Sequence, residues 1–390
     1  MKNYTKILLL LFCAPLFFTS CSEWTETEKV DIEVPVVMNQ LRERDIKKWA
    51  EERNLQKEAD LSVEEWNKKV AKMYDAYYEN LRAYKKSKHK IVYGWFGGWS
   101  ATEGLNQTWL THLPDSVDVV SIWGGTSAFD EKDPRYADLK YAQEVKGLKV
   151  LLCWQTGTSG LGLPGGVEKF NERHEGKTSV QKAVAYAQEL TEFIKKHNFN
   201  GYDIDWEPNV GNHGGGCHNL YENCPTRKYS DTSENSAAPI RAFIKEMGKN
   251  FGPQQTTEYN PRNTGTLFFF DGELIDMSDR FPEMGIYFDY FLEQNYGHAE
   301  ARSSYLNAGK RIKGWDKNKH IICSEFEKNA TDGGTCGTNC AAQKARAILK
   351  QDLGGFGAYH IELDPHYKNT RQVIRILNPR PIYNNFIIEK

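Results

Sequence analysis

Eight short apolar runs, separated by helical patterns and loops, constrain this chain more than any other feature. They fall at residues 91–97, 117–123, 149–155, 201–207, 266–270, 287–296, 320–326 and 356–363. The clearest helical patterns between them lie at 180–196, 237–250, 301–313 and 341–353. Runs that are apolar on both sides belong to sheets covered on both faces, and such sheets are parallel, with helices as crossovers. Eight of them in alternation predict an α/β protein with a (β/α)8 TIM barrel. A doubly wound open sheet is the rival architecture. No glycine-rich dinucleotide fingerprint follows any of the strands, which counts against it.

The fourth run carries the chemistry. Asp203, Asp205 and Glu207 alternate along it, and alternate strand positions share a face. Crowded carboxyls push one another's pKa values apart, so that one stays protonated near neutral pH, as acid–base catalysis needs. In a barrel these acids face the interior, with Glu207 at the C-terminal lip, where active sites of this architecture lie. Ile204 and Trp206 then face the helix layer.

The stretch Asn200-Gly201-Tyr202-Asp203-Ile204-Asp205-Trp206-Glu207 resembles the signature Asp-Gly-x-Asp-x-Asp-x-Glu of glycoside hydrolase family 18, which holds chitinases and endo-β-N-acetylglucosaminidases. The three inner acids match, and Asn200 stands where the signature has Asp. The resemblance implies substrate-assisted hydrolysis, an exception to the two-carboxylate scheme. Glu207 would protonate the leaving oxygen and then activate water. Asp205 would hold the N-acetyl group whose oxygen attacks the anomeric carbon, and Asp203 would share a proton with Asp205 and tune it. Gln294 and Tyr296, at the end of the sixth run, resemble the Gln-x-Tyr pair of the endoglycosidase branch, whose Tyr hydroxyl donates to the charged intermediate. Chitinases usually follow this Tyr with Asp; here Gly297 follows.

Aromatic residues make up 13% of the chain, with 10 Trp and 20 Tyr. Sugar rings stack on aromatic planes, although core filling is the commoner use of any one aromatic. Trp95 and Trp123 near strand ends are candidate sugar contacts, with Gln155 as a hydrogen-bonding partner and His360 on the eighth run. Glu325 and Glu327 are either polar site residues or solvated loop charges. The formal net charge of −2 offers no electrostatic footprint for nucleic acid.

The N-terminus reads as a signal sequence over residues 1–20, with Lys2 and Lys6 before a short apolar core. Phe18-Thr19-Ser20-Cys21 resembles a bacterial lipobox, which implies a lipid on Cys21 and an outer-membrane or cell-surface location. A tether over 21–36 and a helical segment over 37–88 come next, before a catalytic domain over 89–390. Within the helical segment Ser62 and Glu65 form a capping box. Trp66, Val70, Met73, Tyr74, Tyr77, Leu81 and Tyr84 follow at helical spacing, a stripe expected to pack on the barrel's outside. Of the 8 cysteines, Cys217 with Cys224 and Cys336 with Cys340 read as local disulfides in an exported protein. A zinc site using His213 and His218 is the alternative to the pairs. Cys153 and Cys323 read as buried free thiols.

Taken together, the residues and the resemblance lead to the expectation of a retaining endo-β-N-acetylglucosaminidase acting on N-linked glycans. It would use no metal or other cofactor, touch the membrane only through its lipid, bind no nucleic acid and work as a monomer. A surface glycan-binding protein that has lost catalysis, and a chitinase, are the other readings.

Overall fold

The computed structural model describes residues 34–123, 129–155, 162–163, 165–207 and 237–379. Within them, two helices, α1 (Val34–Glu52) and α2 (Val63–Lys86), precede eight strands that close into a parallel barrel in chain order. The strands are β1 (Ile91–Phe96), β2 (Val119–Trp123), β3 (Lys149–Gln155), β4 (Gly201–Trp206), β5 (Leu267–Gly272), β6 (Tyr290–Glu293), β7 (His320–Glu325) and β8 (Gly355–Tyr359). Helix α3 (Pro134–Glu144) follows β2, while α4 (Gly166–Arg173) and α5 (Ser179–Lys196) follow β3. Next come α6 (Ala238–Gly248), α7 (Leu274–Arg280), α8 (Ser303–Gly309), α9 (Cys340–Gln351) and α10 (Lys368–Leu377), one after each remaining strand. This is the (β/α)8 barrel that the alternation of apolar runs predicts, preceded by helices.

Alternation along each strand divides two cores. Ile204 and Trp206 join the outer core between strands and helices, with Val150, Leu152, Phe268 and Phe270. Tyr93, Trp95, Leu151, Cys153 and Phe269 fill the barrel interior. Asp203 and Asp205 therefore point inward, as parity requires. Two glycines let β5 lie close against β4. A Cβ on Gly201 (φ +148°) would come within 1.9 Å of the Leu267 carbonyl oxygen, and one on Gly272 (φ +102°) within 2.4 Å of that of Trp206.

Most strands differ from the sequence expectation at one limit or both, and in three of them the difference bears on the site. The sixth ladder is Tyr290–Glu293, not 287–296, because a 3-10 helix occupies Pro282–Tyr287 and the chain turns after Glu293, where the Asn295 N–H donates to the Glu293 carbonyl at 2.7 Å. The eighth ends at Tyr359, since His360 adopts a left-handed φ of 55° and opens a 3-10 turn. The fifth continues past Phe270 to Asp271 and Gly272.

Helix α1 begins at Val34, inside the stretch read as tether. The Ser62–Glu65 capping box forms as the sequence suggests. The aromatic stripe of α2 packs mainly against Trp49 of α1, with Val145 of the barrel at its edge. Hydrogen bonds fasten the pair to the barrel: Tyr77 donates to Asp115 at 2.9 Å and Arg82 to the Val145 carbonyl at 2.7 Å.

Asn200, the departure from the signature, lies at the N-terminal end of β4 and is fully buried. Its Oδ1 accepts from the Val150 N–H at 2.8 Å and the Gln143 amide at 2.9 Å. Its Nδ2 donates to Thr264 Oγ1 and to the Gly265 carbonyl, both at 2.7 Å. The amide thus completes a hub that ties β3 and β4 to the loop before β5. A carboxylate there would oppose the Gly265 carbonyl with a second acceptor. Asn200→Asp is predicted to cost about 1–3 kcal/mol in urea unfolding at neutral pH. The cost should shrink below about pH 4, where a protonated carboxyl can donate again.

Candidate active site

Asp203 sits deepest. Its Oδ2 accepts from the Tyr93 hydroxyl at 2.7 Å, the Trp95 indole N–H at 3.0 Å and the Ser121 hydroxyl at 3.1 Å. Its Oδ1 is buried without a hydrogen-bond partner among the described residues. Burial pushes its pKa up to about 6, and the donors hold it from rising further. Donors from two strands thus converge on one oxygen of β4, because Tyr93 and Trp95 share parity on β1 and Ser121 faces inward from β2.

One pleat further along, Asp205 is 3% exposed and Asp271 1%. The β4–β5 register sets them side by side. The Gln294 amide Nε2 lies 3.3 Å from Asp205 Oδ1 and 3.3 Å from Asp271 Oδ2, so its two N–H bonds serve both carboxyls. Burial raises both well above the ordinary carboxylate range; repulsion from Glu207 and Asp203 adds to the effect at Asp205, and repulsion from Asp205 adds to it at Asp271. Glu207, just past β4, is half-buried at the C-terminal lip, and its Oε2 accepts from the Gln155 amide at 2.9 Å.

Tyr296 reaches the same face from the turn after β6. Burial lifts its hydroxyl well above the usual tyrosine range, and Asp271 adds to the effect. Its backbone is held from outside: Thr335 Oγ1 donates to the Tyr296 carbonyl at 2.6 Å. Buried Lys344 on α9 donates to the Asn295 carbonyl, to that of His298 at 2.7 Å and to that of Cys323 at 3.0 Å. Burial pushes the Lys344 ammonium down to about 8. A disulfide between Cys336 and Cys340, with Cα atoms 5.2 Å apart, closes the loop that carries Thr335 into α9. Residues far apart in the chain therefore fix the Gln294–Tyr296 segment.

The structure brings Asp203, Asp205, Glu207, Gln155, Gln294 and Tyr296 to one end of the barrel. Trp95 is a correction: at 1% exposure it offers no face to a sugar, and its N–H is committed to Asp203. Trp123 is half-buried, 6.0 Å between ring centroids from Tyr359, whose ring lies 6.3 Å from that of Tyr296. His360 and Glu362 do not share a strand face, because β8 has ended. Instead His360 Nδ1 and Glu362 Oε1 lie 2.6 Å apart, and that bond raises the imidazole pKa. Glu325 is spent on its own loop, accepting from the Lys328 N–H. Sequence reading missed Asp271, Tyr93 and Ser121. Inward parity with Trp95 and Trp123 could have found the last two, whereas Asp271 needed the register with β4.

Cys153 and Cys323 are buried free thiols. The signal, Cys21, most of the tether, His213, His218 and the Cys217–Cys224 pair lie outside the described residues. Among the described residues, no group of three or more His, Cys, Asp or Glu side chains is arranged to hold a metal ion.

Chemically, this is a row of buried carboxyls beneath one partly exposed acid, with amide and hydroxyl donors between. The chain matches the family model Glycoside hydrolase family 18, BT1044-like, over residues 56–379. It is 24% identical over 341 residues to endo-beta-N-acetylglucosaminidase F2 of Elizabethkingia meningoseptica, covering 77% of this chain and 85% of that protein. A shorter match, 27% identical over 143 residues, is to an endochitinase of Brugia malayi, covering 35% of this chain and 25% of that protein. A solved structure of BT1044, in selenomethionine form with a Glu-to-Gln substitution, superposes with a TM-score of 0.62 at 28% identity, covering 83% of this chain and 96% of that one.

The buried carboxyls carry a stability consequence. A carboxyl whose folded pKa lies above its unfolded value contributes stability that is present below about pH 4 and lost as pH rises through the folded value. Asp205→Asn removes that loss. The variant should melt at a higher temperature than wild type at pH 7, and the gap should close toward pH 4 in scanning calorimetry.

Proposed function

The chain belongs to glycoside hydrolase family 18, and on that footing we propose that it is a retaining endo-β-N-acetylglucosaminidase that cuts the GlcNAc-β1,4-GlcNAc core of N-linked glycans. The observation that carries this reading is the inward row Asp203–Asp205 ending at Glu207, with the Gln294 amide 3.3 Å from Asp205. That arrangement supports a site built to grip an acetamide beside a proton donor. Gly297 after Tyr296, and the relative named endo-beta-N-acetylglucosaminidase F2, favour glycoprotein glycans over chitin.

In the proposed mechanism Glu207 protonates the glycosidic oxygen as the bond to the anomeric carbon breaks. The acetamide oxygen of the same sugar closes on that carbon and forms an oxazolinium ion. Asp205 accepts from the acetamide N–H and faces the positive charge, while the Tyr296 hydroxyl donates to the acetamide oxygen. Asp203 is held by its three donors and fixes the field beneath Asp205. Water then attacks the anomeric carbon and displaces the acetamide oxygen, which restores the N-acetyl group; the water's proton passes to Glu207, and configuration is retained. No protein nucleophile takes part. A lipid on Cys21 would keep the enzyme at the cell surface, where host glycoproteins are met.

Purified protein incubated with a high-mannose and a complex glycoprotein should release glycan, read by mass spectrometry. Glu207→Gln should lower the rate by about 10²–10⁴-fold, the usual worth of a general acid. Glycan binding without release by wild type would contradict the reading, and faster cleavage of chitin oligomers would favour the chitinase that the endochitinase match suggests. Thr335→Val should lower kcat about fivefold with KM unchanged, because one hydrogen bond of ~1 kcal/mol holds Tyr296 in place.

A further inference from the structure

We propose that Asp271 is a positioning residue that shares a single proton with Asp205 across the Gln294 amide. This rests on the site reading above and adds a fourth carboxyl to it. The two side chains are neighbours in the β4–β5 register and both face the barrel interior. Gly272 secures that register, since its backbone leaves no room for a Cβ beside Trp206. One amide nitrogen spans both carboxyls at equal distances of 3.3 Å. The second oxygen of Asp271 is buried without a hydrogen-bond partner among the described residues, which suits a carboxyl that carries the proton there.

The surroundings favour one negative charge on the pair over two. Asp203 and Glu207 bear on Asp271 from the β4 side. Tyr296 from the β6 turn, Cys323 from β7 and Cys153 from β3 all feel its charge. None of these groups is basic. Two adjacent buried carboxylates with no cation among these described neighbours cannot both ionise at low cost, so they titrate as a unit. Asp203, whose Oδ2 already accepts from three donors, is less suited to this exchange than the sequence reading supposed.

The consequence is mechanistic. Asp271 carries the shared proton while Asp205 faces the acetamide as a carboxylate. It also orients the Gln294 amide, whose nitrogen would otherwise be free to rotate away from Asp205. Without the second carboxyl, Asp205 would ionise more easily and lose its fixed neighbour.

Full-length Asp271→Asn keeps an amide oxygen as acceptor for Gln294 and removes the charge. The acidic limb of its kcat profile on glycoprotein should move by about one pH unit to lower pH, with KM within about twofold of wild type. Asp271→Ala should in addition lower kcat about tenfold, through loss of the Gln294 acceptor. A second arm needs no activity. The neutral-pH thermal stabilisation by Asp205→Asn should largely disappear in the Asp271→Asn background, because the two carboxyls are coupled. An unshifted acidic limb, or stabilities that simply add, would overturn the shared proton. Wild type that releases no glycan at any pH would sink the proposed function, while the melting arm would still decide the coupling.

Discussion

Everything at this site depends on placing carboxyls inside a closed barrel where their described hydrogen-bond partners are amides, hydroxyls and an indole. Charge of one sign in a low-dielectric interior is costly, and the barrel meets that cost with donors and shared protons. Tyr93, Trp95 and Ser121 surround one oxygen of Asp203. Gln294 stands between Asp205 and Asp271. Glu207 alone of the four reaches the lip, where Gln155 holds it. Depth within the barrel thus separates acids that the sequence presents as a simple row.

The same constraint explains the scaffolding around the sixth strand. A short ladder of Tyr290–Glu293 cannot by itself fix residues beyond its end. Lys344 caps the carbonyls of that turn from α9, and Thr335 holds the Tyr296 carbonyl from the disulfide-closed loop. Burying an ammonium is costly unless its hydrogen bonds are made, and three backbone carbonyls make them. The seventh βα loop therefore acts on the active-site face through backbone contacts.

Much of this was legible in the sequence because strand parity is a strict rule. Asp203 and Asp205 facing inward, and Ile204 and Trp206 facing outward, followed from a period of two. The Cys336–Cys340 bridge followed from close spacing in a chain whose N-terminus reads as an export signal. What parity cannot give is register, so Asp271 went unnoticed at the end of a phenylalanine run. Nor does it give depth: Trp95 looked like a sugar platform and is instead a buried donor to Asp203. The left-handed backbone at His360 was equally invisible, and it undid the expected pairing of strand faces on β8. Asn200 looked like a weakness of the signature; its four hydrogen bonds make it a hub at the opposite end of β4 from the chemistry.

The central claim is that the substrate's acetamide, gripped by Asp205 and Tyr296, is the nucleophile. It is tested most directly by measuring kcat/KM for substrates whose reacting sugar carries N-acetyl, N-fluoroacetyl, N-difluoroacetyl or N-trifluoroacetyl groups. Each fluorine weakens the acetamide oxygen as a nucleophile while barely changing its size. A steep, monotonic fall in rate along the series is the predicted result, and a flat series would contradict the account.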